Sequence, residues 1–226
     1  MKNRLHPYRY WLVVLWLMAF AAFHMAWTAH PAAAFTLNGF DLAEQISIHP
    51  AIRAESPPFR SSAMIWFAVP MIAAGLTFSA LLFDNTKLRW LLYGIAFLIA
   101  LRVIPPEKAL RSPRTLFDDD YARLLSLLTL LGVGAVLLSV FLRKRLHLHT
   151  GIIQLIVNGL ALSIPAIGFY RAFDLLQQLQ LDVTVGGGAI FYAGILVIIA
   201  VRIIMPRATP AQEMTKSPIR ASVFDR

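Results

Sequence analysis

The chain has 226 residues, of which 58% are hydrophobic and 15% charged, with no cysteine and a formal net charge of +9. Soluble domains carry about 45–50% apolar and roughly 25% charged residues. An ordinary soluble enzyme, a disordered chain and a disulfide-stapled secreted domain are therefore excluded. The remaining class is an all-α polytopic integral membrane helix bundle.

The basic excess fits a membrane protein whose Lys and Arg residues lie beside anionic lipid. No basic motif of a nucleic-acid reader accompanies it, so nucleic acid is not an expected partner. Without cysteine there is no thiolate nucleophile, no iron–sulfur cluster and no cysteine-based zinc site.

A helix that crosses a bilayer core needs about 20 mostly apolar residues. Six segments approach this, near 10–29, 61–83, 90–104, 121–142, 152–169 and 189–205. The third is short and contains Arg102, which can reach the headgroups. The first has a rival reading as a signal peptide: Lys2, Arg4 and Arg9 precede an apolar run, and Ala32, Ala33 and Ala34 follow it. Its length, and Trp11 and Trp27 at its ends as interface anchors, favour a retained helix.

Lys and Arg placement predicts cytoplasmic N- and C-termini in a bacterial inner membrane. The strongest vote is Arg143-Lys144-Arg145, directly after the fourth segment. Asp84-Asn85-Thr86-Lys87 forms a tight turn between the second and third segments. Phe173 to Leu179 has helical spacing, as a surface helix or an extension of the fifth segment. Gly186-Gly187-Gly188 breaks the chain before the sixth. Residues 206–226 read as a flexible basic cytoplasmic tail. No internal repeat marks a transporter of the inverted-repeat type.

The outer loop, 30–60, is too long for a simple connector. Asp41 can cap a short helix, with Glu44 completing a capping box, Leu42 and Ile46 sharing a face and Pro50 ending it. This is an interfacial helix, a docking helix for a partner, or a site using Asp41, Glu44 and His49. His49 lies near the helix end, which argues against a metal held by all three. The stretch D-L-A-E-Q-I-S-I-H-P over 41–50 resembles the D-L-A-E-W-x-S-L-H-P loop of uncharacterised bacterial multi-pass membrane proteins. Gln45 takes the Trp position and Ile48 the Leu position. The resemblance covers these ten residues and implies a loop that works as a unit, without implying an activity.

His24, within the first segment, is a candidate ligand for a pigment or a haem, or a helix-packing histidine. A b-type haem wants a second buried histidine, which the sequence does not supply. Asp84 is the expected ion-pair partner of Arg202, and Glu107 or the Asp118–Asp120 run that of Arg102. Asp118-Asp119-Asp120 suits the positive end of the fourth helix. Acidic residues are missing from the middle of the segments, which argues against ion-coupled transport.

Gly132, Gly134, Gly151 and Gly159 are expected to let helices approach. Asn158 is expected to bond across an interface, and Pro165 to bend the fifth helix. His147 and His149 have no evident co-ligands. No Ser-His-Asp order, HExxH or P-loop occurs.

The expected function is a non-catalytic accessory or scaffold subunit of a larger membrane complex, respiratory or photosynthetic. One alternative is a carrier or channel for a small solute, its path lined by Ser126, Thr129, Asn158 and Ser163. The other is a lipid-acting membrane enzyme using Asp41, Glu44 and His49.

Overall fold

A computed structural model describes residues 8–32, 36–56, 59–105, 107 and 119–205. The expectations for Lys2, Arg4, Ala33, Ala34, Asp118 and the tail from Pro206 lie outside the described residues. The chain is mostly helical. Four helical stretches are long and apolar enough to cross a membrane: Ser61–Ala80, Asp120–Phe141, Arg143–Gln178 and Gly187–Ile204.

Helix α1 spans Tyr8–Phe23 and ends six residues before the expected boundary. Strand β1, Ala26–Ala29, follows. It is the centre of a three-stranded sheet in the order β2-β1-β3, with β2 at Leu37–Asn38 and β3 at Thr184–Val185, both antiparallel to it. The sheet was not expected, because its strands are too short to show a period of two. It moves Trp27 from an interface-anchor position into the core, where its indole N–H donates to the Ala22 carbonyl at 3.1 Å. Gly186 and Gly188 also serve the sheet: a Cβ on either would lie 2.2 or 2.7 Å from the Ala26 carbonyl oxygen.

In the outer loop, α2 spans Gly39–Ser47 and α3 spans Pro50–Ala54. Helix α4, Ser61–Trp66, passes into α5, Ala68–Ala80, at Phe67. Pro70 sits just past that joint and has no N–H to give the Trp66 carbonyl. Helix α6, Thr86–Ala100, starts where the Asn85 side chain accepts from the Lys87 and Leu88 N–H groups, and ends in a 3₁₀ turn, Leu101–Val103. Helix α7 is Asp120–Phe141 and α8 is Arg143–Leu146. Helix α9, Thr150–Gln178, is one helix through Pro165, so Phe173 to Gln178 extend it rather than forming a separate surface helix. Helix α10 is Gly187–Ile204 and begins inside the glycine run.

Helix α5 is the hub and packs against α1, α6, α7 and α9. Every one of its residues is buried. Its small residues, Ala73, Ala74, Gly75, Ser79 and Ala80, let four neighbours close in. Trp16 lies flat against Gly75, where a Cβ would come within 2.2 Å of the indole. Gly132 fits against Ala100 and Pro70 as expected, whereas Gly134, Gly151 and Gly159 have nothing within 4 Å. Those three serve no close contact among the described residues.

Buried polar side chains pin the helices together. Asn158 donates to the Leu196 carbonyl of α10 at 2.9 Å, as expected. Gln154 donates to the Gly75 carbonyl and to Ser79 Oγ, both at 2.8 Å. Ser126, Thr129 and Ser163, expected to line a solute path, donate to their own helix one turn back, at 2.8, 2.9 and 2.8 Å.

Candidate functional site

The residues singled out in the outer loop serve different ends. Asn38, not Asp41, caps α2: its Oδ1 accepts from the Asp41 N–H at 2.9 Å, and its Nδ2 donates to Asp41 Oδ2 at 2.7 Å. An extra residue pair before Asp41 is helical, which moves the cap forward. Leu42 and Ile46 share the buried face as expected. Pro50 opens α3 instead of simply ending α2, because proline suits the first turn of a helix. His49 caps α3, its Nδ1 accepting from the Ala51 N–H at 3.3 Å. Among the described residues no three His, Asp or Glu side chains cluster as a metal would need, so Asp41, Glu44 and His49 do not converge.

Glu44 instead lines a polar cleft of about 380 Å³ with Ser47, Arg53, Arg60, Asp120 and Tyr121. Arg60 organises this cleft. It donates to the Glu55 and Arg53 carbonyls at 3.1 and 3.2 Å and pairs with Asp120 at 3.2 Å. Asp120 also holds Arg123 at 2.5 Å, and Asp119 caps α7 through the Tyr121 N–H at 3.0 Å. Asp119 and Asp120 thus close a helix terminus and tie it to the loop, as charge at that end should. Glu55 caps α4 from a distance, accepting from the Ser61 N–H at 2.5 Å and its hydroxyl at 2.8 Å. The Arg60–Asp120 bridge joins residues 60 apart, a separation that no local pattern reveals.

Beside the cleft an apolar groove of about 350 Å³ runs between Phe59, Met64, Phe67, Leu124, Leu128 and Ile164. Arg171 stands at Phe59 and donates to its carbonyl at 3.2 Å.

His24 lies one residue past α1, exposed, because the helix ends at Phe23. Its ring packs on Phe20 and Phe40, each 4.6 Å between centroids. Nδ1 sits 2.9 Å from the Phe20 carbonyl oxygen, which can only accept, so Nδ1 donates. Arg102 is exposed and lies over the other aromatic partner of His24, 5.2 Å from the Phe40 centroid. Asp84 and Arg202 are both exposed, and the structure joins them by no ion pair.

Gln154 is the interior residue that the sequence reading passed over. A lone amide among Ile152, Ile153, Leu155 and Ile156 is the signal that marks it, since a polar side chain at such a site needs a partner. Comparison with known proteins adds no relative: no family model, no curated protein and no solved structure matches the chain.

Proposed function

We propose that the chain is a six-span protein of a bacterial inner membrane, with cytoplasmic termini, that serves as a non-catalytic accessory or scaffold subunit of a larger membrane complex. Helices α1 and α6 have 16 and 15 residues, shorter than the four helical stretches that are long enough to cross a membrane. At 1.5 Å per residue they reach about 24 and 22 Å. Each is flanked by spanning neighbours, α1 by α5 and α10, and α6 by α5 and α7. Local bilayer thinning accommodates short spans of this kind.

The observation that carries the subunit reading is the set of outward glycines. Gly94, Gly134, Gly159 and Gly194 lie inside α6, α7, α9 and α10, exposed, with nothing within 4 Å. A glycine in a helix interior costs roughly 0.5–1 kcal/mol relative to alanine. Among the described residues these four gain no contact for that cost. A partner helix seated on them would gain close backbone approach. The surrounding faces are large and apolar, with Leu130, Leu137, Ile156, Ile198 and Phe191 exposed.

The test replaces Gly134, Gly159 and Gly194 singly by Leu in the native membrane. The bundle itself has room for each side chain, so the protein accumulates normally. Co-isolation of its partners should fall about tenfold for at least one variant. Unchanged co-isolation for all three contradicts the reading.

A further inference from the structure

At the end of the bundle opposite the polar cleft, three arginines gather without a carboxylate. Arg89, in the first turn of α6, is only 7% exposed, and its Nη1 donates to the Phe83 carbonyl at 3.3 Å. Arg9 of α1 donates from Nη1 to the Leu82 carbonyl, also at 3.3 Å. Its guanidinium lies 5.1 Å from the Tyr10 ring centroid and 5.0 Å from that of Phe83. Its Nε is buried without a partner. The two cations thus meet neighbouring carbonyls just past α5, the negative end of that helix. Arg143 opens α8 directly after α7, which packs against α6, and the Tyr93 hydroxyl of α6 is buried without a hydrogen-bond partner.

Among the described residues the ion pairs form elsewhere, at Asp120 with Arg60 and Arg123. Asp84, one residue from Phe83, is exposed and pairs with none of the three arginines. A guanidinium has five N–H donors, and Arg9 and Arg89 each place one on a neutral carbonyl. A buried cation left so is costly unless an anion meets it. Trp11 and Trp90, 60% and 56% exposed, flank the cluster at α1 and α6. Exposed tryptophans at helix ends mark headgroup depth.

We propose that Arg9, Arg89 and Arg143 form a site for the phosphate of an anionic phospholipid headgroup. Phosphate oxygens take paired N–H groups from arginine, a geometry that lysine does not match. The net positive charge selects a lipid without an ammonium group to oppose it. The site requires that the bundle sit in a membrane, and is indifferent to which side this end faces.

The test uses the full chain in nanodiscs of equal phosphatidylglycerol and phosphatidylcholine, extracted in mild detergent, with retained lipid counted by native mass spectrometry. Phosphatidylglycerol should be retained about tenfold over phosphatidylcholine, and R89Q and R143Q should each lower that preference about tenfold. R145Q, exposed on the same turn as Arg143, should leave it unchanged. R89Q replaces a buried residue, so the half-buried Arg143 supplies the variant that keeps the fold, checked by an unaltered thermal transition. Inorganic phosphate in excess should not displace the lipid. Equal retention of the two lipids, or wild-type retention by folded R143Q, overturns the site. Displacement by inorganic phosphate overturns the lipid as its source.

Discussion

The Trp16 indole N–H of α1 donates to Gln154 Oε1 of α9 across 3.1 Å, inside the bundle. The same amide reaches the Gly75 carbonyl and Ser79 Oγ of α5 with its nitrogen, both at 2.8 Å. One side chain therefore ties three helices, and all of its donors and its acceptor are used within the protein. In a bilayer, where water cannot take over a broken bond, this makes the amide a fastener rather than a transport group.

Replacing Gln154 by Leu keeps the volume and removes the three bonds. The expected cost is about 1–2 kcal/mol, read from reversible unfolding in lipid or mild detergent. W16F combined with Q154L should cost less than the sum of the two, because both remove the same bond. Strict additivity would mean that the contact does not contribute.

The glycines separate into two kinds. Gly75→Val forces a side chain into Trp16, where even a Cβ lies 2.2 Å from the indole, and should abolish folding. Gly159→Ala meets nothing within 4 Å and should stabilise the isolated protein by roughly 0.5–1 kcal/mol. Thermal unfolding of the two variants side by side checks this. A tolerated G75V would show that α1 does not sit on α5.

At the polar cleft, Glu55→Ala removes the acceptor for the Ser61 N–H and hydroxyl and frees the start of α4. The expected cost is about 1 kcal/mol. Asp120→Asn, which unties Arg60 and Arg123 from α7, should cost no more than about 1 kcal/mol, because Asp120 is partly exposed. Hydrogen exchange localises both effects, which should appear at residues 53–61 and leave α9 and α10 protected.

The chain lacks cysteine, so single-cysteine labelling needs no background removal. An impermeant thiol reagent should label D84C only from the cytoplasmic side, and S47C and Q180C only from the other side. Labelling of all three from one side contradicts the six-span arrangement.

Much of the helical layout was legible in the sequence, for a physical reason. Long apolar runs such as 121–142 and 189–205 leave little choice in a bilayer, and α7 and α10 differ from them by one or two residues at each end. The end of α1 was not legible, because Met25-Ala26-Trp27 is as apolar as the helix before it. Only pairing with Leu37 and Thr184, far along the chain, turns that stretch into a strand. The Asn158 bond to α10 was foreseen from an amide in an apolar segment, and the same argument applied to Gln154 would have found the central fastener. Asp41, Glu44 and His49 looked like one site because they are close in sequence. Asp41 is held by the Asn38 cap of α2, His49 caps α3, and Glu44 is left in the cleft, a division set by where α2 starts and where Pro50 opens α3.

The most direct measurement is isolation of the untagged protein from its native membrane in a mild detergent, with mass spectrometry of the particle and an absorption spectrum. The account predicts comigration with a larger assembly in fixed ratio, and a spectrum that reads any pigment or haem held at His24. A monodisperse particle containing this chain and lipid alone would contradict the subunit role.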